Sequence, residues 1–490
     1  MISAIDRFCV ENLNIPAAEL MRRSAASVAE SVFELTKEGD EVLILAGKGN
    51  NGGDGYAAAS ILSEGRRVVV CDVFSAGQAT EEGRFWLEKC PSPIIKGITN
   101  EVFDIISRCA CIVDAIFGTG MSGDIPATLF PLADAVNSSK AKVVAIDIPL
   151  GVRGLDGSVC ERVIKADLTV ALSYLKPALV SYPAKDYVGE LRLCTLSLPS
   201  EKIEEYFDFS YRYTDEREAL SLVPKRAEKG NKGSFGRVGL IVGSEKYLGA
   251  AHLALEAALR GGAGLTYFIG KGEIIPELRS KFPEAIYSSP KNNSELLNSL
   301  APLDSLLIGC GCGTEKELYE LVCEIIPEFS GQIIIDADGL NSISRFGSPE
   351  ILKKAKKQPI ITPHPLEFSR LCGKSVDEIE KSRLSFAKSF ALEYNCILLL
   401  KGAATIVTDG KRVYINGSGS TALAKGGSGD ALAGLIASLS ASLDPLESAA
   451  LAAYIHGRAG DNLANELSDF GVTPSDLPRE MARVLSQITK

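Results

Sequence analysis

The sequence predicts an α/β protein of two consecutive domains, each with a mostly parallel sheet covered by helices. Short apolar runs of strand type, beginning with EVLILA at 41–46, recur with helical stretches between them. A second series begins with RVGLIVGS at 237–244. The stretch 199–230 between the two series is charged and has no sustained apolar period. Apolar runs that alternate with helices are typical of parallel sheets buried on both faces, so an N-terminal Rossmann-like domain is expected before a second α/β domain.

Local patterns predict the individual elements. The segment 17–36 has residues at spacings of three or four that predict one buried helix face: Leu20, Ser24, Val28, Val32 and Leu35. The segment 404–416 contains the tight-turn pair Asp409-Gly410 and predicts a hairpin. The remaining strand-type runs are 67–74, 109–117, 142–149, 167–174, 265–270, 305–309, 332–336, 359–362 and 396–401. The predicted domains are 1–205 and 215–490, with a linker at 206–214.

Composition narrows the function classes. The 490 residues are 46% hydrophobic and 23% charged, as in a globular protein, and the net charge of −10 argues against a nucleic-acid partner. Twelve Cys and three His include no Cys-x-x-Cys motif, so neither a zinc site nor a disulfide framework is expected. No apolar run reaches the roughly 18 residues of a membrane span. We therefore expect a cytoplasmic enzyme.

The first glycine-rich motif is GKGNNGGDGY at 47–56. It follows a predicted strand and precedes a helical stretch expected at 56–63. Glycines allow the backbone to approach a ligand, and free N–H groups at a helix start bind anions. The side chains of Asn50, Asn51 and Asp54 add donors and acceptors. The alternative is a plain strand-to-helix turn, which does not require these polar residues.

Two further loops follow strands of the same predicted sheet, DAIFGTG at 114–120 and DIPLG at 147–151. Each places an Asp, Asp114 or Asp147, at the end of an apolar run. Ligands of parallel sheets bind beyond the carboxyl ends of the strands, so the three loops are expected to form one carboxylate-lined pocket. Each Asp by itself could instead be an ordinary loop cap.

A third glycine-rich motif, AKGGSGDALAG at 424–434, opens an apolar helical stretch. Its glycines leave backbone N–H groups free to stabilise a phosphoryl group. Asp430 in the first helical turn is placed to accept a proton from a substrate hydroxyl. No Gly-Lys-Ser/Thr follows, so this is not a Walker loop. The alternative is a capped helix with a glycine-rich lead-in.

Several other motifs of the second half end predicted strands or shape loops. Lys401 could meet a phosphate or be a surface lysine, and His364 could be a structural histidine. His252 and His456 lie in Ala-rich helical stretches, where packing is the favoured interpretation. The motifs are NKGSFG (231–236), GCGCG (309–313), DADGLN (336–341), TPHPLEF (362–368) and KGAAT (401–405).

The three N-terminal motifs, in this order, resemble the NAD(P)HX epimerase domain over roughly 1–205. That resemblance implies acid–base work by Asp147 and a potassium ion held by Asn51, Asp114 and a Ser. Position 150 is Leu150 here, and a Leu side chain offers no oxygen to a hard cation. The resemblance implies that the hydrated dinucleotide contacts Asn50, Asn51, Gly52, Gly53, Asp54, Gly118, Thr119, Gly120 and Asp147.

The six motifs of the second half resemble the ADP- or ATP-dependent NAD(P)HX dehydratase domain, which has a ribokinase-like fold, over about 215–490. The implied chemistry is phosphorylation of the C6 hydroxyl and then loss of phosphate, with Asp430 facing that hydroxyl and Mg²⁺ accompanying the nucleotide. The implied substrate residues are Gly311, His364, Pro365, Glu367, Arg370 and Asp430. The implied nucleotide residues are Lys401, Gly402, Ala403, Ala404, Thr405, Thr421, Lys425, Gly426, Gly427, Ser428 and Gly429. The departures from the family pattern are Asn231, Cys310, Cys312 and Leu366.

Together the two resemblances imply a bifunctional enzyme that repairs NADHX and NADPHX with ADP or ATP, and we expect a homo-oligomer. The alternative is a ribokinase-like small-molecule kinase with a non-catalytic N-terminal binding module. Such a kinase would leave a stable phosphorylated product, whereas the repair enzyme would regenerate NAD(P)H.

Overall fold

The computed structural model describes residues 2–75, 80–121, 123–226 and 228–489. The chain divides into two compact units, Met1–Phe209 and Ser210–Lys490. The outer bounds of the two predicted domains, residues 1 and 490, lie outside the described residues.

The first unit has one sheet in which every neighbouring pair of strands runs parallel. The strand order is β3-β2-β1-β4-β5-β6-β7, which is the Rossmann order with one added strand. Its strands are β1 (Glu41–Ala46), β2 (Arg67–Asp72), β3 (Ile94–Lys96), β4 (Cys111–Ala115), β5 (Lys142–Ile146), β6 (Leu168–Leu172) and β7 (Glu190–Cys194). Its helices are α1 (Ile2–Leu13), α2 (Ala17–Leu35), α3 (Asn50–Leu62), α4 (Glu81–Lys89), α5 (Asn100–Arg108), α6 (Phe130–Ser138), α7 (Pro177–Val180) and α8 (Ser200–Tyr206).

Helices cover both faces of this sheet. Alternate residues of β1 enter two different clusters: Val42 and Ile44 pack with α2 and α3, whereas Leu43 and Leu45 pack with α5 and α6. A strand buried on both faces needs apolar residues at every position, which explains the continuous run EVLILA. The predicted α/β class is confirmed.

The first glycine-rich motif is helical from Asn50 onward, so the prediction that the helix begins at 56 is wrong. The reason is close packing. A Cβ atom at Gly55 would lie 2.8 Å from the Cβ of Ala115, and one at Gly53 would lie 2.9 Å from Cε of Met21. Glycines at these positions let α3 lie directly against β4 and α2, which places Asp54 inside the unit.

The second unit has a ten-stranded sheet with the order β11-β10-β9-β12-β13-β14-β15-β16-β17-β8. Its strands are β8 (Tyr211–Thr214), β9 (Arg237–Ile241), β10 (Leu265–Ile269), β11 (Ile286–Ser288), β12 (Ser305–Ile308), β13 (Gln332–Ile335), β14 (Ile360–Ile361), β15 (Ile397–Leu400), β16 (Ile406–Thr408) and β17 (Val413–Asn416). Its helices are α9 (Glu216–Leu222), α10 (Leu248–Arg260), α11 (Ile275–Lys281), α12 (Asn293–Leu300), α13 (Lys316–Glu328), α14 (Asp338–Phe346), α15 (Pro365–Cys372), α16 (Val376–Lys381), α17 (Arg383–Tyr394), α18 (Ser428–Leu439), α19 (Pro445–Gly471) and α20 (Leu477–Ile488).

The strands from β11 to β15 are parallel, and β15, β16 and β17 are joined antiparallel, as the predicted hairpin requires. The segment 206–214 was expected to be a linker, but its residues 211–214 form β8, which pairs in parallel with β17. Tyr211 and Tyr213 alternate with polar positions, and this short edge strand covers the open side of β17.

Short 3₁₀ helices complete the described elements: Ala127–Leu129, Ala184–Tyr187, Lys232–Phe235, Gly272–Ile274, Pro349–Lys354 and Thr421–Leu423. Within the described ranges, no helix is long and apolar enough to cross a membrane.

Helix α18 is held tightly against α10. A Cβ atom at Gly434 would lie 2.2 Å from the backbone oxygen of Ala254. Only glycine permits this approach without a shift of the helix, and α18 carries Asp430 in its first turn.

We therefore expect Gly434→Ala to lower the free energy of unfolding by about 1–3 kcal/mol, because overpacking outweighs the better helix propensity of Ala. Urea unfolding followed by circular dichroism measures this change. Gly249→Ala is the matched control, because its added Cβ meets nothing within 4 Å. Equal stability of the Gly434→Ala variant and the parent would contradict the packing argument.

Candidate active sites

The first unit has a cavity of about 810 Å³ at the carboxyl edge of its sheet. One wall consists of the segments that follow β1, β4, β5 and β6, and another consists of α1 and α2. The cavity brings together seven of the predicted residues: Asn50, Asn51, Asp54, Gly118, Thr119, Gly120 and Asp147. Gly52 and Gly53 lie within α3 instead and do not line the cavity.

Asp147 is held from three sides. Its carboxylate accepts hydrogen bonds from the N–H groups of Thr119 and Leu172, both at 3.3 Å. Nζ of Lys176 donates to the same carboxylate and to the carbonyl of Leu172. Both members of the Lys176–Asp147 ion pair are buried. Asp147 also has a φ of 67°, a strained value that an L-residue keeps only where its surroundings fix it.

Two further carboxyl groups line the same cavity. Burial raises the pKa of Asp54 well above its ordinary value, and the nearby carboxylates of Asp147 and Asp6 add to this effect. Burial likewise raises the pKa of Asp6 to about 6, while Lys176 opposes the rise. The cavity therefore contains carboxyl groups whose pKa values burial raises, next to the ion-paired Asp147, which is an arrangement suited to acid–base catalysis.

Asp114 is fully buried beside this cavity rather than in its lining. Its carboxylate accepts hydrogen bonds from the backbone N–H of Ile116 at 3.2 Å and of Leu150 at 2.7 Å. The Leu150 side chain is also fully buried, in an apolar cluster. The Asn51 amide donates to the carbonyl of Phe117 at 2.9 Å. A potassium ion needs several oxygen ligands, and this set offers it only one carboxylate and one amide oxygen, so the side chains do not fit the implied ion.

The second candidate site lies at the start of α18. Gly427 is the N-cap residue with a φ of 104°, and Asp430 lies in the first turn. Nζ of Lys401 donates to the carboxylate of Asp336 at 2.9 Å. A Cβ atom at Gly429 would lie only 3.2 Å from that Nζ. The glycine thus keeps an ammonium group directly beside free helix N–H groups, a combination suited to a phosphoryl group.

A compact acidic cluster faces this lysine. Ligand-type atoms of Cys310, Asp336 and Asp430 all lie within 4.8 Å of one another. The buried Cys310 thiol donates to the carboxylate of Asp336 across 3.8 Å. Burial and the neighbouring Asp336 carboxylate raise the pKa of Asp430 to about 6. Burial opposes the charge on Lys401, but the carboxylates of Asp336 and Glu367 raise its pKa above the ordinary value.

The predicted substrate residues of this unit surround the cluster. His364 caps α15, and its Nδ1 accepts hydrogen bonds from the N–H groups of Leu366 and Glu367. The Glu367 carboxylate accepts from the N–H of His364 at 2.9 Å. Pro365 is the first helical residue, so the segment from Pro365 to Arg370 is helical rather than a loop. Arg370 donates to the side-chain oxygen of Asn341 at 2.7 Å, and Ser244 donates to the carbonyl of Gly311 at 2.8 Å.

The predicted nucleotide residues form two adjoining segments. Thr421 donates to the Asp469 carboxylate, and Lys425 donates to the carbonyls of Phe470 and Val472. Thr405 donates to the carbonyl of Gly402 at 3.0 Å, which closes the turn containing Ala403 and Ala404. A Cβ atom at Gly426 would meet nothing within 4 Å, so its backbone is open to a ligand. These segments leave the glycine-rich backbone accessible.

His456 makes a polar contact with Ser428, which the interpretation of His456 as a packing residue did not include. Nε2 of His456 lies 3.0 Å from the Ser428 hydroxyl and 3.1 Å from its carbonyl oxygen. Burial lowers the pKa of His456 to about 4, so the ring is neutral at physiological pH. His456 therefore orients the first residue of α18 and is more than a packing residue.

Several residues at these sites were not predicted. Lys176 follows β6, so the strand-end rule that identified Asp147 would have found it. Asp336 opens the motif DADGLN after β13, which the sequence analysis named without giving this residue a role. Asp6 and Arg383 carry no comparable signal. Asp6 comes from a helix outside the sheet, and Arg383 reaches the carbonyl of Lys401 from the start of α17.

These two folds and sites define a two-domain α/β enzyme whose sites lie beside glycine-rich helix starts. The family model described as "YjeF-related protein N-terminus" matches residues 17–178, and the model described as "NAD(P)H-hydrate dehydratase" matches residues 238–483. The bifunctional NAD(P)H-hydrate repair enzyme Nnr of Thermofilum pendens is 31% identical over 99% of this chain and 95% of its own length. The enzyme of that name from Escherichia coli is 32% identical over 98% and 92%.

Solved structures agree for the second unit. The ADP/ATP-dependent NAD(P)H-hydrate dehydratase of Bacillus subtilis, co-crystallised with ATP/Mg²⁺, covers 57% of this chain and 100% of its own, with 27% identity and a TM-score of 0.51. A ribokinase-like superfamily protein of Enterococcus faecalis also has a TM-score of 0.51 at 27% identity, covering 58% of this chain and 98% of its own. The expected ribokinase-like fold is confirmed. This chain belongs to the family of bifunctional NAD(P)H-hydrate repair enzymes.

The Lys176–Asp147 pair makes a stability prediction. Lys176→Met leaves the Asp147 carboxylate buried without its cation, so we expect a loss of about 3–5 kcal/mol in the free energy of unfolding. Denaturation followed by the fluorescence of Trp86, the single tryptophan of the sequence, reports on this unit.

Lys165→Met, at an exposed position, is the matched control and should change stability by less than about 0.5 kcal/mol. Adding Asp147→Asn to Lys176→Met should restore part of the loss, because the unpaired charge is removed. A Lys176→Met variant as stable as the parent would show that the pair is not a structural requirement.

Proposed function

We propose that this chain repairs hydrated NADH and NADPH. The first unit interconverts the R and S epimers of NAD(P)HX, and the second uses ADP or ATP to convert the S epimer back to NAD(P)H. The observation that carries the proposal is the contact set at α18, where the Asp430 carboxyl group, the Lys401 ammonium group and glycine N–H groups meet. The family membership supports the same chemistry.

In the dehydratase unit, Asp430 accepts the proton of the C6 hydroxyl as that oxygen attacks the terminal phosphorus of the nucleotide. The bond from phosphorus to the bridging oxygen breaks, and the shortened nucleotide leaves. Lys401 and the N–H groups of Gly427 and Gly429 stabilise the charge on the phosphoryl oxygens. The C6–O bond then breaks toward the phosphate while the N1 lone pair forms a double bond to C6. Loss of a C5 proton restores the dihydronicotinamide ring.

The nucleotide is held by the segments 401–405 and 421–429. The Bacillus subtilis relative was crystallised with ATP/Mg²⁺, which supports a magnesium–nucleotide substrate here. Mg²⁺ prefers carboxylate oxygens together with phosphate oxygens, and Asp336 is the carboxylate of this cluster that fits this preference while Asp430 serves as the base. The Cys310 thiol does not suit this ion. The substrate NAD(P)HX contacts Gly311, the 364–370 segment and Asp430.

In the epimerase unit, the cavity at the sheet edge holds NAD(P)HX, with Asn50, Asn51, Asp54 and the 118–120 segment as its contacts. Asp147, held in place by Lys176, moves the proton of the C6 hydroxyl. We derive no step through potassium, because Leu150 has no side-chain oxygen at the position where the family pattern has a Ser. We further propose that the protein is cytoplasmic, since its nucleotide substrates are those of central metabolism. We also propose that it is a homo-oligomer.

Separated epimers test both halves. With S-NADPHX, ADP or ATP and Mg²⁺, the protein should generate NADPH absorbance, and Asp430→Asn should lower kcat at least about 100-fold. With R-NADPHX, NADPH formation should depend on Asp147, so Asp147→Asn should slow it toward the uncatalysed rate. No NADPH from either epimer would refute the repair function, and a stable phosphorylated product would favour a small-molecule kinase.

The raised pKa of Asp430 predicts the pH dependence of dehydration. The base must be a carboxylate, so kcat/KM for the S epimer should fall as the pH drops through about 6. An unperturbed Asp would keep its activity to about pH 4. A profile of rate against pH, measured with saturating nucleotide, distinguishes the raised pKa of Asp430 from that of an unperturbed Asp. A profile that is flat down to about pH 5 would contradict the role of Asp430.

A further inference from the structure

We infer that Asp6 of α1 is the second acid–base residue of the epimerase cavity and acts on the C6 hydroxyl from a different wall than Asp147. This inference rests on the proposed epimerase function of the first unit. Asp6 lies outside residues 17–178, the part of the chain that the family model matches.

The placement of Asp6 follows from the packing of α1. Ile5 and Cys9 on the same helix are fully buried in a cluster with Leu20 of α2, which fixes the helix against α2. Asp6 lines the 810 Å³ cavity together with Arg7. Asp147 lines the same cavity from the segment after β5. A substrate in the cavity therefore lies between the α1–α2 wall and the sheet edge.

The charged and titratable groups that face Asp6 come from several elements. Lys176 attracts it, Asp147 and Asp54 repel it, and the Cys9 thiol lies next to it on α1. Burial raises its pKa to about 6. An acid–base group is most effective when its pKa lies near the working pH, and Asp6 fulfils this condition.

The reaction itself requires two groups. The epimers of NAD(P)HX differ only in the face of C6 that carries the hydroxyl, so the oxygen must leave from one face and return on the other. One residue cannot contact the hydroxyl on both faces of a ring held in one orientation. Asp147 therefore exchanges a proton with the hydroxyl of one epimer, and Asp6 exchanges a proton with the hydroxyl of the other.

Protons and electrons balance over one turnover of the cavity. The Lys176–Asp147 pair holds one transferable proton: Lys176 gives it to the Asp147 carboxylate, which passes it to the departing hydroxyl. The C6–O bond breaks with its electrons on oxygen, water leaves, and the N1 lone pair forms the N1=C6 bond. A water molecule adds to the other face, its proton passes to the Asp6 carboxylate, and the N1=C6 electrons return to N1. The reverse direction uses the protonated Asp6 as acid, and solvent returns the proton between turnovers.

The test measures R-to-S conversion by chiral chromatography of NADPHX without nucleotide, so that the dehydratase unit is inactive. Asp6→Asn should lower kcat about 100-fold or more with little change in KM, whereas Asp6→Glu should retain a measurable part of the rate. Glu11→Gln is the matched control, since Glu11 lies exposed on the same helix and does not line this cavity. Circular dichroism and thermal melting check that each variant is folded.

Two readouts of the unmodified protein remain informative if Asp6→Asn fails to fold. Epimerisation should slow below about pH 6, where the Asp6 carboxylate is protonated and no longer accepts the proton of the adding water, and in H₂¹⁸O each turnover should place ¹⁸O on C6. A rate that is independent of pH between about 5 and 8, or Asp6→Asn within threefold of the parent, would overturn the role of Asp6 alone. A parent protein no faster than buffer would overturn the epimerase proposal and this inference together.

Discussion

A lysine paired with a buried carboxylate at the carboxyl edge of each sheet is the interaction on which both candidate sites depend. In the first unit Asp147 follows β5 and pairs with Lys176, which follows the neighbouring strand β6. In the second unit Asp336 follows β13 and pairs with Lys401, which follows β15, two strands away. Parallel strands bring these ends together, and burial makes each charge dependent on its partner. Each pair thereby fixes an ammonium group beside the carboxyl group to which we assign the reaction, Asp147 itself in one unit and Asp430 in the other.

The departures from the family pattern differ in their physical consequences. Leu150 is fully buried in an apolar cluster, where its side chain packs but offers no oxygen to a cation. Its backbone N–H donates a hydrogen bond to the Asp114 carboxylate. Cys310 is buried against Asp336 and adds a weak donor to an acidic cluster. Leu366, by contrast, is 48% exposed, so its added bulk lies at the surface of α15 rather than within the cap that His364 forms. Leu150 thus alters the site of the first unit, and Cys310 adjusts the electrostatics of the second site. Leu366 leaves the cap of α15 intact.

Sequence patterns predicted most of the fold because buried parallel strands require continuous apolar runs. They located Asp147 and Asp430 for a related reason, since strand ends and helix starts are local features. The boundary of α3 was placed too late because glycines that look like a loop are used there for close packing against Ala115. Asp6 was missed because its role arises only when the chain is folded, whereas Lys176 follows the end of β6, where the strand-end rule applies. The site roles and the activity assigned to each predicted domain remain predictions.

The proposed chemistry gives a reason for the excess of carboxylates in both sites. Loss of the C6 oxygen, as water or as phosphate, leaves positive charge shared between N1 and C6, and preorganised negative groups stabilise that charge. The first cavity presents Asp6, Asp54 and Asp147 around the ammonium group of Lys176, and Arg7 and Lys48 also line it. The second site faces a conflict, because the same carboxylates repel the phosphate groups of a nucleotide. Lys401 and the uncharged N–H groups at the start of α18 resolve it, since they attract the phosphoryl oxygens without adding a second cation next to C6. The glycine-rich helix start is therefore a consequence of combining phosphoryl transfer with a cationic intermediate in one site.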